Sequence, residues 1–216
     1  FDDRDEIDTE ALRANVRRAV RAGVAGFLVP AMASEVDKLT TEERERIVTA
    51  VLEEDRGRTT VVGGASAADQ KQRIANVRRL TQLGCDGVLV AVGYENEKQY
   101  RHTVEELADA LEGVDVSTPD VVGKETAGDS RRQRPFLMIQ DWDFSGFGAP
   151  VALIAGLFED VPAFRSLKVE VVPAGVKYSQ VLEATGDRLH VAGGWAVGQM
   201  IEGLDRGVHA FMPTAL

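Results

Sequence analysis

The chain has 216 residues, 44% of them hydrophobic, enough for one large core and so for a single compact domain spanning residues 1–216. Its 25 basic residues against 35 acidic ones leave a net charge of -10, which argues against a general phosphate-backbone binder, so no nucleic-acid partner is expected. A single cysteine, Cys85, excludes an intrachain disulfide and points to the cytoplasm, and no apolar run reaches the length of a membrane span. The chain does not begin with methionine and carries no basic-then-apolar leader, so the natural protein is expected to start further upstream.

Asp8-Thr9-Glu10 leads into Leu12, Val16 and Val20, spaced by four, which predicts an amphipathic helix stopped by Gly23. Residues 26 to 30 form a short apolar strand. Thr40 with Glu43 is a capping box opening a second helix, with Ile47, Val48, Val51 and Leu52 as its buried stripe. A strand follows at residues 59 to 62, closing on Gly63-Gly64. The third helix carries Ile74, Val77, Leu80 and Leu83 and ends at Gly84; residues 87 to 92 return to strand and 97 to 112 to helix. Residues 113 to 134 are polar and aperiodic, and read as a surface loop or insertion. Beyond them, strands are expected at 136 to 141, 164 to 170, 189 to 195 and 208 to 213, with helices at 150 to 159, 178 to 185 and 197 to 204.

A partial repeat supports this alternation. Gly23-Val24-Ala25-Gly26-Phe27-Leu28-Val29 recurs from Gly84 and again from Gly207, each time as a helix-ending glycine leading into an apolar strand. The starts lie about 61 and about 123 residues apart, which fits two and four units of roughly 30 residues, the size of a βαβ step. Apolar strands alternating with helices mean a parallel sheet buried on both faces. The fold class is therefore α/β: a (β/α)8 TIM barrel lacking one strand in this span, with a doubly wound open sheet as the alternative.

One strand carries a lysine. In Ser166-Leu167-Lys168-Val169-Glu170 the period-two alternation sends Leu167 and Val169 to one face and Ser166, Lys168 and Glu170 to the other. Mid-strand lysines are commonly solvated at sheet edges. In a closed barrel with helices over the apolar face, Lys168 would instead point at the axis, where desolvation favours the neutral, nucleophilic amine.

Three stretches carry a family resemblance: Phe1-Asp2-Asp3 through Ile7-Asp8; Ser34-Glu35 with Leu39-Thr40-Thr41-Glu42-Glu43-Arg44; and Leu167-Lys168-Val169-Glu170. Together, in this order, they resemble the dihydrodipicolinate synthase and N-acetylneuraminate lyase family, pyruvate-handling class I aldolases on a (β/α)8 barrel. The resemblance implies that strand one and the C-terminal helices lie outside this span. It implies a homotetramer, no cofactor, and a small 2-oxo acid substrate that condenses with Lys168. It puts the family's two-threonine turn on Met32 and Ala33, its paired aromatics on Tyr94 and Glu95, its proton-relaying tyrosine on Ile139 and its substrate-gripping arginine on Phe144.

With the relay tyrosine replaced, a substitute acid or base is required if the chain is an enzyme. Asp141 and Glu170 are the candidates, each read as standing two residues beyond a site position at a C-terminal strand end. Both have plainer readings: Glu170 as a partner for Lys168, Asp141 as a loop cap. Trp142, Phe144 and Phe147 suggest an apolar mouth. Gly193 with Gly194, like Gly63 with Gly64, offers bare backbone to a ligand or simply makes a tight turn. The three histidines lack metal-ligand spacing, so no metal site is expected. Schiff-base lyase chemistry on pyruvate or a related 2-oxo acid, by aldol cleavage, condensation or dehydration, is the leading reading; a barrel that binds a small acid without turnover, as a sensor or assembly subunit, is the alternative.

Overall fold

The computed structural model of the protein describes residues 1–114, 134–195 and 197–213. Helix and strand alternate as α1 (Thr9–Ala22), β1 (Gly26–Val29), α2 (Thr41–Asp55), β2 (Thr60–Gly64), α3 (Gln70–Leu83), β3 (Gly87–Ala91) and α4 (Glu97–Glu112). The order continues with β4 (Phe136–Asp143), α5 (Val151–Asp160), β5 (Phe164–Val171), α6 (Ala174–Thr185), β6 (His190–Gly193), α7 (Met200–Asp205) and β7 (Ala210–Phe211). Short 3-10 turns occupy Met32–Ser34, Val36–Lys38 and Val197–Gln199. The expected insertion at residues 113 to 134 lies, apart from its ends, outside the described residues.

Local chemistry sets the helix limits. Asp8, Thr40, Asp69 and Asn96 each accept a backbone N–H from the first turn of the helix that follows, and Thr40 with Glu43 completes its capping box. The repeated glycines Gly23 and Gly84 adopt left-handed backbone and return their N–H groups to the last turns of α1 and α3. The later elements depart from expectation: α6 opens at Ala174, directly after Pro173, and the helix expected over 197 to 204 divides into a 3-10 turn and the short α7.

The seven strands of the described residues are all parallel and pair in chain order from β1 to β7. A doubly wound sheet reverses strand order at a switch point, so the monotonic order excludes it and leaves the curled wall of a (β/α)8 barrel.

The two faces of that wall carry different cores. The outer face packs Val61, Val88, Val90, Leu137, Ile139, Leu167, Val169, Val171 and Val191 against helix residues such as Val77, Val104, Leu107, Leu157, Tyr178 and Val181 in one continuous cluster. The inner face carries a small separate cluster of Val62, Leu89 and Met138, with Leu28, Phe136 and Met212 against it. Residues paired in register on parallel strands share a face, so these clusters fix which side chains point to the barrel axis.

Candidate active site

β5 alternates as its sequence requires. Leu167, Val169 and Val171 are fully buried in the outer cluster, which turns Lys168 to the inside. Lys168 is only 6% exposed, so the amine is withdrawn from bulk water without being sealed beneath a helix. In register it stands between Gln140 of β4 and Ala192 of β6, and Ala192 pairs on with Ala210 of β7.

One step nearer the C-terminal rim, Glu170 pairs in register with Trp142. The Lys168 ammonium donates to Glu170 Oε1 at 2.9 Å, and the Gln140 side-chain amide donates to Glu170 Oε2. Each oxygen of one carboxylate is thus held by a different strand, and the site sits at the rim where (β/α)8 barrels keep their chemistry. Across β6, a Cβ built on Gly194 would lie 2.2 Å from Glu170 Oε1, so bare backbone at Gly194 is what admits the carboxylate.

Two expected site residues stand on the other face. Gln140, not Ile139 or Asp141, is abreast of Lys168; Ile139 pairs with Leu167 and Asp141 with Val169, so both face the helices. Ile139 is buried in the outer core. Asp141 is buried beside Lys177 of α6, with Oδ2 at 2.8 Å from Lys177 Nζ, and its Oδ1 accepts the Ala149 N–H at 2.9 Å. Lys177 aims hydrogen bonds at the Phe147 and Ala149 carbonyls, so its contact with Asp141 is an ion pair rather than an aligned hydrogen bond. Burial pushes the Asp141 carboxyl above its ordinary 3.8, and the Lys177 charge opposes that. Asp141 therefore ties the loop after β4 to α6 and does not reach the Lys168 amine, which is its plainer reading as a loop cap.

Gly193 is corrected in the same way. A Cβ there would lie 2.4 Å from Phe211 Cε1 and 2.9 Å from the Tyr178 hydroxyl, so Gly193 serves helix packing while Gly194 faces the site. Burial, with the charges of Glu170 and Glu202 adding, pushes the Tyr178 phenol up to about 12. Met32 and Ala33 lie in the exposed 3-10 turn after β1, and Tyr94 follows β3 with its ring 5.9 Å from that of Tyr100. These three stand beyond C-terminal strand ends, but the hydrogen bonds and ring contacts of the described residues do not join them to Lys168. Phe147 lies over the Lys177 ammonium, at 4.7 Å from nitrogen to ring centre, and so leaves the expected mouth.

At the opposite end of the same face, Ser166 Oγ lies 2.9 Å from His190 Nδ1. The His190 and His209 rings are 5.2 Å apart, and His209 Nε2 lies 3.3 Å from Asp187 Oδ1. Burial first, and His209 second, hold His190 below its ordinary 6.5. Among the described residues no group of three or more His, Cys, Asp and Glu side chains is placed to hold a metal ion. Nor is any described helix long and apolar enough to cross a membrane.

The sequence profile of the Dihydrodipicolinate synthetase family matches residues 1–111. The chain belongs to this family. An uncharacterized DapA-like lyase of Halobacterium salinarum is 33% identical over 94 residues, which cover 44% of this chain and 31% of that protein. Among solved structures, a dihydrodipicolinate synthase of Bacillus anthracis superposes with a TM-score of 0.81 at 17% identity, over 100% of this chain and 66% of that one. A prophage protein of the same family from E. coli K12, solved in complex with pyruvate, superposes with a TM-score of 0.80 at 16% identity, over 99% of this chain and 66% of that one. The chain spans about a third of the length of that curated relative and about two thirds of these solved chains. The structural likeness establishes the barrel, and the sequence match establishes the family.

Proposed function

We propose that the protein is a Schiff-base lyase of the class I aldolase type, acting on pyruvate or a related 2-oxo acid through Lys168. The observation that carries this reading is the shielded Lys168 amine, 2.9 Å from Glu170 on the axial face of a barrel strand. The family membership and the pyruvate held by a structural neighbour point the same way.

In the proposed reaction Glu170 takes a proton from the Lys168 ammonium, the neutral amine adds to the ketone carbon, and Glu170 returns that proton as water leaves, giving a protonated imine. Glu170 takes a proton from the adjacent carbon, and the electron pair of that C–H bond moves into the imine to give an enamine. For condensation, that carbon bonds to the carbonyl carbon of an aldehyde, and the aldehyde oxygen takes the proton back from Glu170. Water then frees the 4-hydroxy-2-oxo acid and restores the amine; cleavage is the reverse. Gln140 acts as a positioning residue, since its amide holds the second oxygen of Glu170. A cytoplasmic homotetramer belongs to the same reading, on family grounds alone.

Exchange of pyruvate methyl protons in deuterium oxide tests the imine-enamine step on the full-length protein. Exchange that requires both Lys168 and Glu170 supports the reading. Met32 and Ala33, which carry no hydroxyl for a substrate carboxylate, favour a second reading: a barrel that binds a small acid without turnover. Saturable pyruvate binding without exchange would select it.

A further inference from the structure

We propose that Trp142, Phe144 and Trp195 form the binding wall for an aromatic substituent on the carbonyl compound that joins, or is released from, the Lys168-bound acid. This inference rests on the Schiff-base reading and adds a substrate class to it.

The wall belongs to the same rim as the amine. Trp142 pairs in register with Glu170, and Phe144 follows β4 directly. The Trp142 and Phe144 rings meet edge to face at 5.3 Å, and Phe144 leans on Trp195, which follows β6, at 5.1 Å. Three contacting aromatic rings therefore run along the C-terminal rim from the end of β4 to the end of β6, with Trp142 in the register row of Glu170.

The wall is also held in place. The Trp195 indole N–H donates to the Val171 carbonyl at 3.2 Å, and Trp195 packs on the outer core. Asp143 Oδ1 accepts the Ser145 N–H at 2.9 Å, which fixes the turn that presents Phe144. Fixed rings lose little freedom when a ligand stacks on them. Trp142 is 38% exposed and Phe144 56%, so both rings still offer surface to a ligand at the mouth.

Charge selects against polar alternatives. Among the described residues in the rows of Gln140, Lys168, Ala192, Trp142, Glu170 and Gly194, the cation is Lys168, and its charge is gone at the enamine stage, when the aldehyde enters. An anionic tail on the incoming aldehyde would therefore meet no counter-charge in those rows. An aromatic aldehyde presents a planar apolar body to the wall and a single carbonyl to the enamine. Its carbonyl carbon forms the new bond, and its oxygen takes the proton from Glu170.

The test compares pyruvate condensation with benzaldehyde and with glycolaldehyde on the full-length protein, alongside borohydride trapping of pyruvate as the control for the imine. A kcat/KM at least about tenfold higher for benzaldehyde supports the proposal, as does a fall of about tenfold in that ratio for Phe144→Ala, with a near-native circular dichroism spectrum confirming the fold. Trapping without a preference for benzaldehyde, or a ratio unmoved in both Phe144→Ala and Phe144→Ser, overturns the aromatic wall alone. No trapping at all overturns the Schiff-base reading and this inference with it.

Discussion

Lys168 and Glu170 lie two residues apart on one face of β5, and their charged ends meet at 2.9 Å. Successive same-face side chains on a strand point in parallel, so this contact requires the carboxylate to lean back toward the amine. Gln140 and the bare backbone at Gly194 hold it there. In the proposed reaction, nucleophile and acid-base group thus come from one strand.

Glu170→Gln separates the two roles. The variant keeps the amine and the side-chain volume, so borohydride still traps pyruvate on Lys168. Methyl-proton exchange falls by roughly 10²–10⁴-fold, the usual worth of a positioned acid-base group. Exchange at the wild-type rate would remove Glu170 from the mechanism.

The neighbouring glycines give opposite phenotypes. In Gly194→Ala the new methyl would sit 2.2 Å from Glu170 Oε1 and 2.4 Å from its Cγ, so it displaces the carboxylate and lowers exchange by up to about 10²-fold. In Gly193→Ala the methyl would meet Phe211 and the Tyr178 hydroxyl, which overpacks the helix-facing side and costs about 1–3 kcal/mol of stability. Steady-state rates and thermal melts of the two full-length variants check the split.

The Asp141–Lys177 pair is structural on this account. Asp141→Asn leaves the fully buried Lys177 without its counter-charge and costs about 3–5 kcal/mol. The raised Asp141 value sets the sign with pH: a carboxyl whose folded value is raised stabilises fully only below its ordinary 3.8, and loses that contribution as pH climbs through the folded value. Because the substitution leaves Lys177 buried and unpaired, the melting temperature of Asp141→Asn falls while imine trapping on the folded fraction persists. Loss of trapping in folded Asp141→Asn protein would return Asp141 to the site.

His190 makes stability depend on pH in the opposite sense. Its folded value lies below 6.5, so the unfolded chain binds more protons in the window between the two, and stability falls as pH drops from 6.5 through the folded value. His190→Gln flattens the melting profile below pH 6.5. An unchanged slope would show that another group carries it.

What was legible in the sequence followed from visible periodicity. The helix-strand alternation and the glycine repeat gave a parallel sheet, with barrel and doubly wound order still both open, and the alternation of polar and apolar residues in β5 gave the direction of Lys168. β4 had no such signal. Phe136, Leu137, Met138 and Ile139 are apolar on both faces because the inner and outer cores each claim one side, so its parity was hidden and Gln140 was passed over for Ile139 and Asp141. In β6 the one polar marker was His190, in register with Ser166, and period two from it puts Ala192 and Gly194, not Gly193, on the Lys168 face. The available signal was the lysine strand itself: whatever serves Lys168 must share its face, and only register with β4 decides which residue does.

Borohydride trapping of pyruvate on the full-length protein, followed by mass mapping of the two buried lysines, tests the central claim most directly. The account predicts a reduced pyruvyl adduct on Lys168 and none on Lys177, which is committed to Asp141 on the helix-facing side. An adduct on Lys177, or none on Lys168 across several 2-oxo acids, would contradict it.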